Sequence, residues 1–163
     1  MLKAEEQSGQ LQKIFGLGVD SIYRSNVFSL WFDHGAQPQS ANYAYTVLPG
    51  ISATDMAQYK TPIQVISNTP ALQAVHHQAL QLTGIVFHEA GECALPNGGF
   101  ISVEQACLIL INHKKKQLSI SDPTAVQKQI TTLLQLGSGE IRRDAILLPS
   151  GPLAGQTMTI GLE

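Results

Sequence analysis

Trp31, Asp33, His34, Tyr43 and Tyr45 crowd into one stretch, VFSLWFDHGAQPQSANYAYTVLPG, from Val27 to Gly50. A histidine among tyrosines suits proton transfer. Taking a proton from the carbon beside a carboxylate needs a base, a group that neutralises the carboxylate, and usually an Arg or Lys near the charge. His34 with Tyr43 or Tyr45 supplies part of that set. No Arg lies within the stretch, and the nearest is Arg24. The alternative is structural: two tyrosines face a core, with their hydroxyls bonded to the loop.

Other chemistries find less support. The histidines are His34, His76, His77, His88 and His113. No pair of them has the helical spacing of zinc proteases. His76 and His77 are neighbours in an extended segment, as are His88 and Glu89, so each pair points to opposite faces. No metal ligand and no cofactor is assigned. A Gly-x-Ser-x-Gly elbow is absent, and Cys107 sits in an apolar run, as a buried thiol would. Cys93 and Cys107 fit no zinc or redox spacing. A bridge between them across neighbouring strands stays open beside two free thiols. Gly16-Leu17-Gly18 lacks the spacing and the following helix of a phosphate loop.

The composition is that of a folded domain. The chain has 163 residues, 44% hydrophobic and only 13% charged, with mean hydropathy +0.04. Its net charge is -2 and its pI about 6.2, without the basic face of a nucleic-acid binder. Lys114-Lys115-Lys116 is the one basic run and reads as a solvated turn. No apolar stretch approaches the ~18 residues of a membrane span. Met1 to Glu6 leads into polar residues rather than an apolar leader, so the expectation is either an intracellular chain or one whose start lies elsewhere.

The elements that must position these residues are strands. Phe28, Leu30 and Phe32 share one side of an extended segment, and Tyr43, Tyr45 and Val47 one side of another. The polar connection from Asp33 to Asn42 joins them into a strand pair. Residues 2–10 read as an extended lead-in, Leu11 to Leu17 as a short edge strand, and Asp20 to Asn26 as a connection. Ser52 to Asp55 is a helix start with Ser52 as cap, and Pro62 ends that helix by Lys60. It is the single short helix expected. Further strands are expected at 63–68, 72–77, 83–89, 100–103, 106–113, 117–121, 129–136, 145–148 and 156–162. Ala106 to His113, the most apolar run, reads as a central strand buried on both sides. Asp122-Pro123-Thr124 reads as a turn, with a helix start capped by Asp122 as the other option. Short strands at short intervals give an all-β antiparallel β-sandwich, with a composition change near Pro62.

These residues resemble a family. Trp31-Phe32-Asp33-His34-Gly35, Pro38, Tyr43-Ala44-Tyr45 and Leu48-Pro49-Gly50 are similar to a signature of polysaccharide lyase family eight, the hyaluronate, chondroitin and xanthan lyases. Ile66-Ser67-Asn68-Thr69 with Leu72-Gln73-Ala74-Val75, then Thr83 to Phe87, then Leu118 to Thr124, continue the resemblance in order. It covers roughly Gly9 to Leu136. It implies that residues 1–60 are the last strands of a central lyase β-sandwich and that 61–163 are the C-terminal β-sandwich domain. The chain would be a C-terminal piece of a larger secreted enzyme, extracellular or periplasmic. Its partners would be the rest of that lyase, an α/α toroid and the central β domain, and through them an acidic polysaccharide. Nucleic acid and membrane are not expected. The family's catalytic Asn, His, Tyr and Arg lie in the toroid, so no catalytic residue is assigned here. The alternative is a free-standing carbohydrate-binding β-sandwich that uses exposed aromatics such as Trp31 or Tyr23.

Overall fold

Alternating side chains shape most of the regular structure, and nearly all of that structure is β-strand. The computed structural model describes residues 1–16, 18–41 and 43–162. They form two compact units, Met1–Tyr45 and Thr46–Glu163.

The first unit is a hairpin. Strand β1 (Leu2–Gln10) pairs antiparallel with β2 (Ile22–Leu30), in a register running from Leu2 opposite Leu30 to Gln10 opposite Ile22. The lead-in and the expected connection at 20–26 are therefore largely strand. The expected edge strand at Leu11 is instead a one-turn helix, α1 (Leu11–Phe15), while Leu17 lies outside the described residues. Leu11, Ile14 and Phe15 follow the helical i, i+3, i+4 spacing, which outweighs the apparent alternation. Gly16 closes the turn at φ 70°, its N–H bonded to the Gln12 carbonyl at 2.9 Å. The second strand expected at Tyr43–Val47 does not form. Among the described residues β2 ladders with β1 alone. Asn42, at the end of the expected connection, lies outside the described residues.

The second unit is a β-sandwich. It begins with helix α2 (Ala53–Gln58), where Ser52 Oγ accepts from the Asp55 N–H at 3.0 Å, the expected cap. With α1, the described residues thus hold two short α-helices rather than one. Ten strands follow: β3 (Ile63–Asn68), β4 (Leu72–His77), β5 (Leu82–Phe87), β6 (Gly91–Ala94), β7 (Gly99–Val103), β8 (Cys107–Asn112), β9 (Gln117–Ser121), β10 (Gln129–Leu136), β11 (Arg142–Leu147) and β12 (Met158–Gly161). A 3-10 turn at Gly151–Leu153 precedes the last. One sheet has the order β12-β9-β8-β5-β4-β3, the other β11-β10-β7-β6. Every pairing is antiparallel.

The core lies between the sheets. Ile85, Ile109, Ile111, Leu118 and Ile120 from one sheet are buried in a single cluster with Ile101, Val103, Ile130, Leu134 and Ile146 from the other. Burial of this apolar surface is the main favourable term in the fold. Strand β8 is the exception to expectation. Cys107, Ile109 and Ile111 are buried, but Leu108 and Leu110 are 36% and 44% exposed. Only one face of the strand meets the core, because no second layer of this unit covers the outer face of the sheet. In β3 a register shift between Val65 and Ser67 marks a bulge. The bulge turns Ile66 toward the core beside Val65, which stays exposed, so apolar residues stand next to each other in sequence.

Candidate functional site

Strand β2 delivers Trp31, Phe32 and His34 just past its end. Asp33 then bends the chain: its Oδ1 accepts the Gly35 N–H at 2.9 Å, and Gly35 takes φ 73°. The Phe32 and Tyr43 rings stack with centroids 5.1 Å apart. Tyr45 stacks on Tyr43 at 6.3 Å, and the His34 ring lies 6.4 Å from Tyr43. His34, Tyr43 and Tyr45 are thus brought together, with Phe32 rather than Trp31 among them, and the two tyrosines are exposed rather than facing a core. These rings line an open cavity of about 430 Å³ with Leu30. Among the described lining residues there is no Lys or Arg to neutralise a substrate carboxylate. Arg24, the nearest arginine in sequence, pairs with Glu6 at 3.0 Å. The arrangement stacks flat groups; it does not by itself make a carbon acid more acidic.

A second cluster is one that sequence reasoning missed. His76 and His77 diverge as expected, but His76 turns inward and is 3% exposed. Its Nδ1 lies 2.9 Å from Thr83 Oγ1, and that same hydroxyl lies 2.7 Å from His113 Nε2. Strand pairing does this: β4 sets His76 opposite Thr83, and β8 leaves His113 one position past Asn112 on the next strand. Burial, and next to it the His76 ring, push His113 below the ordinary imidazole range. Each residue shares its face with a core neighbour two positions away (Ala74, Ile85 and Ile111), and that parity was the available signal. His88 and Glu89, expected at the end of a strand, lie beyond β5 in an exposed turn. No three His, Cys, Asp or Glu side chains among the described residues are grouped to hold a metal.

A third feature is structural chemistry. Asp122 is 2% exposed, and its carboxylate organises the turn after β9. Oδ1 accepts from the Thr124 N–H at 2.9 Å and from its hydroxyl at 2.6 Å. Oδ2 accepts from the Val126 and Gln127 N–H groups at 3.0 and 2.8 Å. Cys93 on β6 and Cys107 on β8 belong to different sheets; both are buried, free thiols.

Two family models match successive parts of the chain. Residues 1–60 match the polysaccharide lyase family 8 super-sandwich domain, and residues 64–131 match the polysaccharide lyase family 8 C-terminal beta-sandwich domain. The chain belongs to polysaccharide lyase family 8. It is 37% identical to chondroitinase-AC of Pedobacter heparinus over 98% of its own length and 23% of that protein. It is 30% identical to hyaluronate lyase HylB of Enterococcus faecalis over 80% of its length and 13% of that relative. A solved chondroitinase AC lyase, studied in oligosaccharide complexes, superposes with TM-score 0.86 at 31% identity, over 98% of this chain and 24% of the other. This family 8 chain therefore spans less than a quarter of the length of these relatives. Its all-β, antiparallel sandwich superposes on that solved chondroitinase AC lyase. No helix among its described residues is long and apolar enough to cross a membrane.

Proposed function

We propose that this chain is a non-catalytic C-terminal β region of a secreted polysaccharide lyase, which cleaves uronic-acid polysaccharides of the chondroitin or hyaluronan type by β-elimination. In this reading residues 1–60 end the central β-sandwich and 61–163 form the C-terminal sandwich. Its partners are an upstream α/α toroid and the rest of the central domain, and acidic polysaccharide is met through them, outside the cell or in the periplasm. The chain supports the central domain and borders the substrate cleft; its own residues supply no base.

The observation that carries this reading is the bare face of the β1–β2 hairpin. Leu2, Phe28 and Leu30 lie on one face by register and are 66%, 63% and 55% exposed. A two-stranded hairpin is marginal in water, and three or more strands with an apolar face are needed for stability. Such a face calls for further strands of a larger sandwich. The purified chain should release no unsaturated, ultraviolet-absorbing product from chondroitin or hyaluronan. Release of that product would overturn the non-catalytic role.

A second reading, a carbohydrate-binding module, draws on the 40% exposed Trp31 ring and the Phe32–Tyr43–Tyr45 stack. Calorimetry with both polysaccharides separates the two. Saturable binding that disappears in Trp31→Ala favours the module, and no binding favours the supporting role.

A further inference from the structure

Three strands of the C-terminal sandwich bring His76, Thr83 and His113 onto one hydroxyl. The Thr83 oxygen lies 2.9 Å from His76 Nδ1 and 2.7 Å from His113 Nε2. A hydroxyl has a single proton to give. It therefore donates to one ring and accepts an N–H from the other. That pattern is complete when both rings are neutral. It is also complete when one ring is charged, because the charged ring donates and the neutral one accepts. With both rings charged it fails. Both nitrogens then carry protons, the hydroxyl hydrogen has no acceptor there, and two cations face each other with ring centroids 5.6 Å apart.

We propose that His76, Thr83 and His113 form a pH-sensitive lock on the sandwich: the folded state takes up at most one proton at this cluster, where the unfolded chain takes up two. This inference stands independently of the role assigned to the chain.

Among the described residues, the elements packed around the cluster give it no counter-charge. Strand β3 sets Gln64 opposite His76, and β8 sets Ile111 opposite Thr83. His77 lies on the other face of β4, and β5, β9 and β12 carry no titratable side chain. Lys114, Lys115 and Lys116 follow His113 in an exposed turn and only oppose a further positive charge. In the facing sheet, β7 and β10 have no titratable group, and β6 offers the buried Cys93 and the exposed Glu92. On the edge strand β11, Arg142 pairs with Asp144 and bonds the Gly161 carbonyl, and Arg143 pairs with Glu104. Cys107 is buried at the opposite end of β8 from His113. No carboxylate among the described residues bonds either ring.

The sign follows from linkage. Burial and the neighbouring ring hold His113 below its ordinary value in the folded state. Between that folded value and the unfolded value near ~6.5, the unfolded chain binds more protons. The contribution is complete above ~6.5 and is lost as pH falls from there through the folded value.

Two measurements on the chain test this. In urea unfolding at about pH 7.5 and about pH 5.5, the wild-type midpoint should fall with pH, and the fall should shrink by about half or more in His113→Gln and in His76→Gln. In imidazole NMR titration of the folded wild type, His76 and His113 together should take up no more than one proton before unfolding begins. This second measurement decides the matter if the variants do not fold. Two independent titrations near the ordinary histidine value, or an unchanged fall in the folded variants, would overturn the proposal.

Discussion

Arg142 Nη1 donates to the Gly161 carbonyl at 2.8 Å, and the two residues sit on the open edges of different sheets. The contact ties β11 to β12, where no ladder can. Arg142 Nε also pairs with Asp144 at 2.7 Å, which fixes the guanidinium plane. Beside it lies a cavity of about 590 Å³ lined by Leu134, Leu136, Ile141 and Leu162, so the tie spans a gap in packing. Arg142→Ala should destabilise the sandwich by about 1–2 kcal/mol, discounted for partial exposure. Arg142→Lys should restore only part, because an ammonium lacks the planar fork. Urea denaturation followed by far-ultraviolet circular dichroism reads both.

Asp122 makes the fold sensitive to acid. Burial pushes its carboxyl up, but the bonds from the Thr124 hydroxyl and from the Gln127, Thr124 and Val126 N–H groups outweigh burial and hold it at about 2. A depressed carboxylate stabilises the folded state above the unfolded value of 3.8, and that stability is lost as pH falls toward about 2. Asp122→Asn keeps one oxygen acceptor and should flatten the acid limb of the stability curve. Asp122→Ala should cost about 2 kcal/mol at neutral pH, because several N–H groups lose their acceptor.

Gly99 opens β7 at φ 83°, where the chain passes directly against Gln135 of β10. A methyl group there would overlap the Gln135 carbonyl oxygen and carbon, which are backbone and have no rotamer to escape into. Gly99→Ala should destabilise by about 3 kcal/mol or more, from positive-φ strain and overpacking together. Gly161 has open space around it, so Gly161→Ala is the control and should be far milder. A thermal melt of the two variants makes the comparison.

The thiols should be inert while the sandwich is folded. Burial first, and the Asp122 charge second, push Cys107 up to about 12, and burial raises Cys93. Thiolate is the reactive form. At about pH 8, a disulfide reagent should label neither cysteine in native protein and both in urea.

Most strand positions in the second unit were legible because alternation and turn residues agree there, but β6 (Gly91–Ala94) was not expected and β11 starts at Arg142 rather than Ala145. Leu118 and Ile120 against Ser119 and Ser121 give the pattern, and Pro96-Asn97-Gly98 and Gly137-Ser138-Gly139 punctuate the chain. Tertiary layering was not legible. Leucine at positions 108 and 110 looks like core in a sequence, and only the sheet order shows that nothing of this unit covers them. The hairpin was misread for a related reason. Glu5, Glu6 and Gln7 disguise β1 as a polar lead-in, because both faces of the hairpin are exposed and burial imposes no pattern on them. The aromatic cluster was found from neighbouring residues in one stretch. The His76–Thr83–His113 cluster required a pairing register, which local spacing does not contain.

The order of the six-stranded sheet places β3 and β12 at its opposite margins. At a spacing of about 4.8 Å between neighbouring strands, five intervals separate them by roughly 24 Å. Joining the two to make a circular permutant would need a linker of at least about seven extended residues. The sandwich is thus a spacer: segments fused before β3 and after β12 are held a full sheet width apart.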